Sequence, residues 1–175
     1  MTSDEPSPVA LAPVERVSAS VLQEHAEMFA QQGMMAASLN ALYLPVLVVN
    51  SHRQIIFANQ AMADLVDVDN GAALIGVRPG EALHCHYVDA GEAGCGTSPF
   101  CRYCGAARAI AEAELEAEHE EEAFILREFG QFPAALDLHV VTKSFYLGQE
   151  RFTMMTIRDV SGEKRRYAME RIFFH

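Results

Sequence analysis

The order of strand-like and helix-like patterns along these 175 residues predicts an α+β fold built on a five-stranded antiparallel sheet. Three observations carry the prediction. Residues 44–50 (LPVLVVN) and 54–58 (QIIFA) are β-branched runs separated only by the polar Ser51, His52 and Arg53, which is the pattern of a hairpin. Residues 123–129, then the alternating Leu136, Leu138 and Val140, then residues 151–158 read as three more strands, the last two joined through a turn at Leu147, Gly148 and Gln149. Between the two groups lie short helical stretches and glycine-punctuated loops, placing short helices on one face of the sheet, and a longer helical pattern flanks it at each end.

Each element has its own local reason. Residues 1–13 contain Pro6, Pro8 and Pro13 among Ser, Asp and Glu, too little apolar area to order the chain, so a flexible leader is expected. Residues 14–43 form one amphipathic helix in this reading: Ser20 and Gln23 make a capping box, and Val21, Met28, Met35 and Leu42 recur at heptad spacing beside Leu22, Phe29 and Ala36. That stripe packs on its own domain or against the same helix of a second subunit, and Pro45 ends it. Asn59 caps a short helix carrying Met62, Leu65 and Val66. Gly71, Gly76, Pro79 and Gly80 mark a loop leading to Cys85. Residues 106–118 are rich in helix formers, with Ile110 and Leu115 as sparse apolar marks. The segment Asp159-Val160-Ser161 starts a last helix in which Met169, Ile172 and Phe173 fall at i, i+3 and i+4, and Arg166 and Glu170 stand four apart.

Charge and composition exclude several functions. Thirteen Lys and Arg against 24 Asp and Glu give a net charge of −11, which argues against nucleic acid or an anionic membrane surface as partner. Eight of those acids lie between Glu112 and Glu128 with one Arg, read as a solvated helix face and loop. No apolar run approaches the roughly 20 residues of a membrane span, and no basic segment followed by an apolar core opens the chain, so a cytoplasmic protein is expected. The nucleotide-binding glycine motifs, the nucleophile elbow and the HExxH zinc motif are all missing from the sequence.

All four cysteines fall between Cys85 and Cys104, spaced C-x9-C-x5-C-x2-C through Cys95 and Cys101. Gly94, Gly96 and Gly105 flank the sulfurs, which suits a backbone bending closely around an inorganic centre with its N–H groups toward sulfur. Three chemistries fit four thiolates: an iron–sulfur cluster, a structural zinc ion and a thiol–disulfide switch. Structural zinc sites commonly pair two short C-x2–4-C knuckles, and here only Cys101 and Cys104 form one. His84 and His86 flank Cys85 and either is able to replace a sulfur on zinc, while Arg102 and Tyr103 inside the knuckle are candidate hydrogen-bond donors to cluster sulfur.

Residues 44–66 (LPVLVVNSHRQIIFANQAMADLV) and 151–165 (RFTMMTIRDVSGEKR) resemble the opening strands and the closing strand with signalling helix of PAS sensor domains, a likeness covering roughly residues 40–162. GVRPGEALHC followed by GCGTSPFCRYCGAARAI resembles the four-cysteine element of a subgroup of bacterial PAS domains. RRYAMERIFFH resembles the start of a histidine-kinase dimerisation helix, in which His175 would be the phosphoacceptor. The resemblance implies a PAS module over residues 44–160 with its cysteine element at 85–104, a dimerisation helix at 14–43 and the start of a signalling helix at 161–175. It implies a homodimer that addresses a response regulator through a full-length kinase whose ATP-binding part is not in these residues, so that this stretch alone is catalytically inert. A sensory role favours a group that changes oxidation state, so an iron–sulfur cluster, [4Fe–4S] first, on Cys85, Cys95, Cys101 and Cys104 is the reading, with zinc as the alternative. PAS domains also enclose small-molecule cavities. For haem, His139 would be the axial ligand, set against the plainer reading of a solvent-facing strand histidine.

Overall fold

The computed structural model describes residues 11–116, 118–129 and 132–173; most of the expected leader and His175 lie outside the described residues. β1 (Val46–Val49) and β2 (Ile55–Ala58) form the expected hairpin, β3 (Glu118–Phe129), β4 (Phe132–Leu147) and β5 (Glu150–Asp159) follow, and the sheet runs β2-β1-β5-β4-β3 with every neighbour antiparallel. β1 takes an interior position, beside the central β5, because its apolar, mostly β-branched residues are buried on both faces.

Strand alternation divides two cores. On one face Leu47, Val49, Leu138, Val140, Met155 and Ile157 meet Met62 of α3 (Gln60–Leu65) and Ala106, Ala109 and Ile110 of α5 (Gly105–Glu116). On the other, Val48, Ile56 and Phe152 enclose Phe29 of α1 (Ala19–Ala30), which is 1% exposed. Asn59 ties the hairpin together from within. Its side-chain oxygen accepts from the Val46 and Met62 amides at 2.9 and 3.0 Å, and its amide donates to the Leu39 and Leu44 carbonyls, both at 2.9 Å.

The single helix expected over residues 14–43 is two helices, α1 and α2 (Gly33–Asn40). The heptad pattern runs through the break, but Gln32 leaves the helical region and Gly33 weakens propagation there, while the bend lets Phe29, Met35 and Leu39 all reach the same sheet face. The N-cap is Ser18, whose hydroxyl accepts from Val21 N, not Ser20. The acidic run is not helix face and loop throughout: β3 begins at Glu118, because β4 pairs with it that far and supplies cations, Lys143 to Glu118 at 3.0 Å, while Lys164 reaches Glu122 at 2.8 Å. Leu115 is exposed; α5 faces the sheet with alanines and Ile110 instead, which lets it approach so closely that a Cβ on Gly105 would fall 1.9 Å from Glu122 O. Residues Leu11, Ala12 and Pro13, expected in the leader, are packed against the cysteine element.

Candidate functional site

After α3 the chain returns along the open edge of β2, where Ile55 N donates to Val77 O and Gly76 N to Ile55 O, both at 2.8 Å. Arg78 and Pro79 then open α4 (Pro79–Ala82), with the Glu81 carboxylate accepting from Arg78 N at 2.9 Å. Cys85 follows directly, its N–H on Gly80 O at 2.8 Å, and its neighbours bond to the edge of β3: His86 N to Leu126 O at 2.8 Å and Glu128 N to His84 O at 3.1 Å. Cys95 sits between Gly94 and Gly96, at φ +86° and +94°, a left-handed pair that only glycine adopts without strain. Ser98 caps the short 3₁₀ helix Pro99–Tyr103 that carries Cys101, and Cys104 hands the chain to α5.

This path brings all four cysteines to the wall of one cavity of about 240 Å³, between α4, α5 and β3, with Leu83, Ile110 and Ile125 as its apolar floor and Tyr87, Phe100, Tyr103 and Phe124 around it. Each sulfur receives at least one backbone N–H. Gly80 N donates to Cys95 Sγ at 3.3 Å and Gly96 N to Cys101 Sγ at 3.2 Å, while the Tyr87 amide serves Cys85 and the Ala106 and Ala107 amides serve Cys104. Burial pushes the Cys85 and Cys104 thiols up, and it pushes Cys95 up to about 12, assisted there by the charges of Cys101 and Cys104. Without a positive centre these three groups are therefore neutral thiols at pH 7, although amides stand ready for thiolates. Soft sulfurs around a shared cavity, amides aimed at sulfur, and a glycine at position 80 where a Cβ would meet Cys95 Sγ at 2.6 Å together fit an inorganic group with thiolate ligands. Among the described residues, no three His, Cys, Asp or Glu side chains converge closely enough to hold one metal ion.

No protein-family model and no curated protein sequence matches the chain. Solved structures do match. A PAS domain from a two-component sensor histidine kinase aligns with TM-score 0.50 at 8% identity, over 75% of this chain and 97% of its own. The PAS domain of a protein from Colwellia psychrerythraea gives 0.53 at 14%, over 75% and 98%. That of nitrogen regulation protein NR(II) from Vibrio parahaemolyticus gives 0.50 at 11%, over 72% and 97%. The chain has the PAS fold. At these identities the likeness is one of fold.

Within the PAS fold the histidines lie apart from the cysteine cavity. His86 pairs with Glu128 through Nδ1 at 2.5 Å, and the cavity lining includes neither His84 nor His86. His139 pairs with Glu120, and strand alternation puts it on the face opposite Leu138 and Val140. Arg102 lies 4.8 Å over the Tyr103 ring at the exposed rim. The residues that reading the sequence missed are Arg53, Arg78 and a strap formed by residues 11–17. Arg78 is fully buried and donates to four carbonyls, those of Pro13 and Glu15 in the strap and of Ala93 and Cys95 in the cysteine loop. Leu11 N bonds Gly96 O at 3.1 Å, Ala12 is buried against Gly96, the Arg16 guanidinium pairs with Glu81, and Val17 N bonds Gln54 Oε1 at 2.8 Å. The one local signal was Arg78 beside Pro79, an extended arginine at a helix start; nothing local points from it to residues 13 and 15.

Among the described residues no helix is long and apolar enough to cross a membrane. On α6 (Ser161–Phe173), Met169, Ile172 and Phe173 are exposed, as is Tyr167.

Proposed function

We propose that this chain is the signal-sensing PAS module of a bacterial histidine kinase, holding an iron–sulfur cluster on Cys85, Cys95, Cys101 and Cys104 and coupling the state of that centre to kinase output through its flanking helices. The observation that carries the reading is the shared cavity with amides directed at every cysteine sulfur. Sulfurs that share a cavity wall without three of them converging on one ion position favour a polynuclear core over zinc, whose bonds of about 2.3 Å would draw four sulfurs to about 3.8 Å from one another. When bound, the cluster supplies a one-electron change of charge. The residues of the chain hold it with four thiolates, orient those thiolates with amides, and screen it with the aromatic rim.

Two routes lead outward. The strap clamps the Cys95 loop and runs into α1 through Ser18, so a shift of residues 94–96 pulls on the N-terminal helix. The sheet runs from β5 into α6 through Asp159, whose carboxylate accepts from Ser161 N at 2.8 Å. In the intact dimeric kinase His175 is the phosphoacceptor, and a response regulator is the partner.

Anaerobic purification tests the core of this: the protein is expected to be brown, with iron and acid-labile sulfide. Stoichiometric zinc after expression with iron available overturns it. Hydrogen exchange of residues 11–30 and 161–173 is expected to rise when the cluster is removed, and identical exchange rejects the coupling. Replacing His175 by Gln in the full-length kinase is expected to abolish the acid-labile phosphate.

A further inference from the structure

Arg53 occupies the β1–β2 turn at φ +61°, a left-handed conformation that Gly, Asn or Asp adopts at least cost. A turn arginine ordinarily reaches into water. This one is 4% exposed and lines the cysteine cavity with Cys95 and Cys101. A Cβ placed on Gly96 would lie 3.5 Å from Arg53 Nη1, so the guanidinium stands against the loop whose amide donates to Cys101 Sγ. Burial lowers the affinity of this guanidinium for its proton, and Cys95 leads the charges that oppose that effect. Among the described residues no carboxylate comes within ion-pair distance of it. A strained backbone and a desolvated cation persist in a fold where something offsets both, and of the negative groups whose charge reaches this one, Cys95 first, then Glu114 and Cys101, the two cysteines share its cavity.

We propose that Arg53 is the charge-compensating group of the cysteine site, the buried cation that balances the net negative charge of a four-thiolate centre and favours its taking up one more electron. This rests on the reading of the four cysteines as ligands. Reduction by a one-electron donor adds one negative charge to the centre and moves no proton. Arg53 stabilises the product of that step more than the reactant, so it raises the midpoint potential without being a ligand.

Wild-type protein, Arg53→Met and Arg53→Lys, purified anaerobically, are titrated potentiometrically with dithionite and redox mediators while absorption is followed. The midpoint is expected to fall in Arg53→Met and to return toward the wild-type value in Arg53→Lys. Equal midpoints for wild type and Arg53→Met overturn the proposal. If Arg53→Met does not fold, Arg53→Gln, neutral and closer in shape, takes its place under the same criterion. A second readout needs no iron: zinc affinity of the metal-free proteins, measured against a chromogenic chelator, is expected to fall by about 10–100-fold on removing the cation and to survive in Arg53→Lys. Equal zinc affinities overturn the proposal even where the variant holds no cluster. The two ideas then separate. Wild-type protein that takes zinc but no iron rejects the iron–sulfur reading and leaves Arg53 to be judged on zinc; protein that takes neither overturns both.

Discussion

Gly80→Ala tests whether Cys95 is held where a ligand must be. Gly80 stands between two of the cysteines: a Cβ there would lie 2.6 Å from Cys95 Sγ, 3.1 Å from Cys95 Cβ and 3.6 Å from Cys85 Cβ. Comfortable contacts between such atoms begin at about 3.5 Å, so the Cys95 sulfur must retreat by about 1 Å. Metal–ligand distances tolerate about 0.2 Å, so a displacement several times larger removes Cys95 from the ligand set. The protein itself suffers less. Overpacking of one methyl costs about 1–3 kcal/mol, and the Gly80 φ is not in the left-handed region, so the variant folds. The assay is iron and sulfide content after anaerobic gel filtration, alongside thermal unfolding of the metal-free form. The expected result is a large loss of iron and sulfide with a melting temperature only a few degrees lower. Gly33→Ala, where a Cβ meets nothing within 4 Å, serves as control and keeps its iron. Wild-type iron, sulfide and spectrum in Gly80→Ala would refute the placement of Cys95 as a ligand.

Cys104→Ser is expected to abolish the centre while His86→Ala, which removes a surface partner of Glu128 and an edge contact with the Tyr87 ring but no cavity-lining side chain, leaves iron content unchanged; the reverse moves the site to a mixed Cys and His type. Asn59→Ala strands the Val46 amide and two carbonyls and removes a helix cap, so a loss of about 2 kcal/mol or more in urea unfolding is expected, and less than about 0.5 kcal/mol contradicts the hydrogen-bond assignment. The metal-free, reduced protein has a pH signature. Burial raises the Cys95 thiol from 9.0 to about 12, so above pH 9 the unfolded chain has released a proton that the folded chain retains. Stability is therefore complete below the unfolded thiol's range and falls between pH 9 and about 12, and the fall is expected to be smaller in Cys95→Ser. Equal slopes for the two proteins contradict the burial of that thiol.

Periodicity and capping determined much of the fold. The β1–β2 hairpin, the Asn59 cap, the alternation of Leu138 and Val140 and the strand at residues 151–158 were legible because each depends on neighbours within a few positions. So was the grouping of Cys85, Cys95, Cys101 and Cys104, a matter of spacing alone. Tertiary structure decided what depends on distant partners. The acidic stretch from Glu118 became strand because β4 pairs with it along its length, with Lys143 of β4 against Glu118 and Lys164 of α6 against Glu122, 25 and 42 residues away. The helix pattern over residues 14–43 broke so that both halves bury their stripes on one sheet face. Arg53 and Arg78 read as an ordinary turn residue and an ordinary loop residue, yet one faces the cysteine cavity and the other joins the strap to the Cys95 loop across 65 and 17 residues. A long cationic side chain carries no periodic signal, and where its charge ends up is set by which carbonyls and sulfurs the folded chain brings within reach.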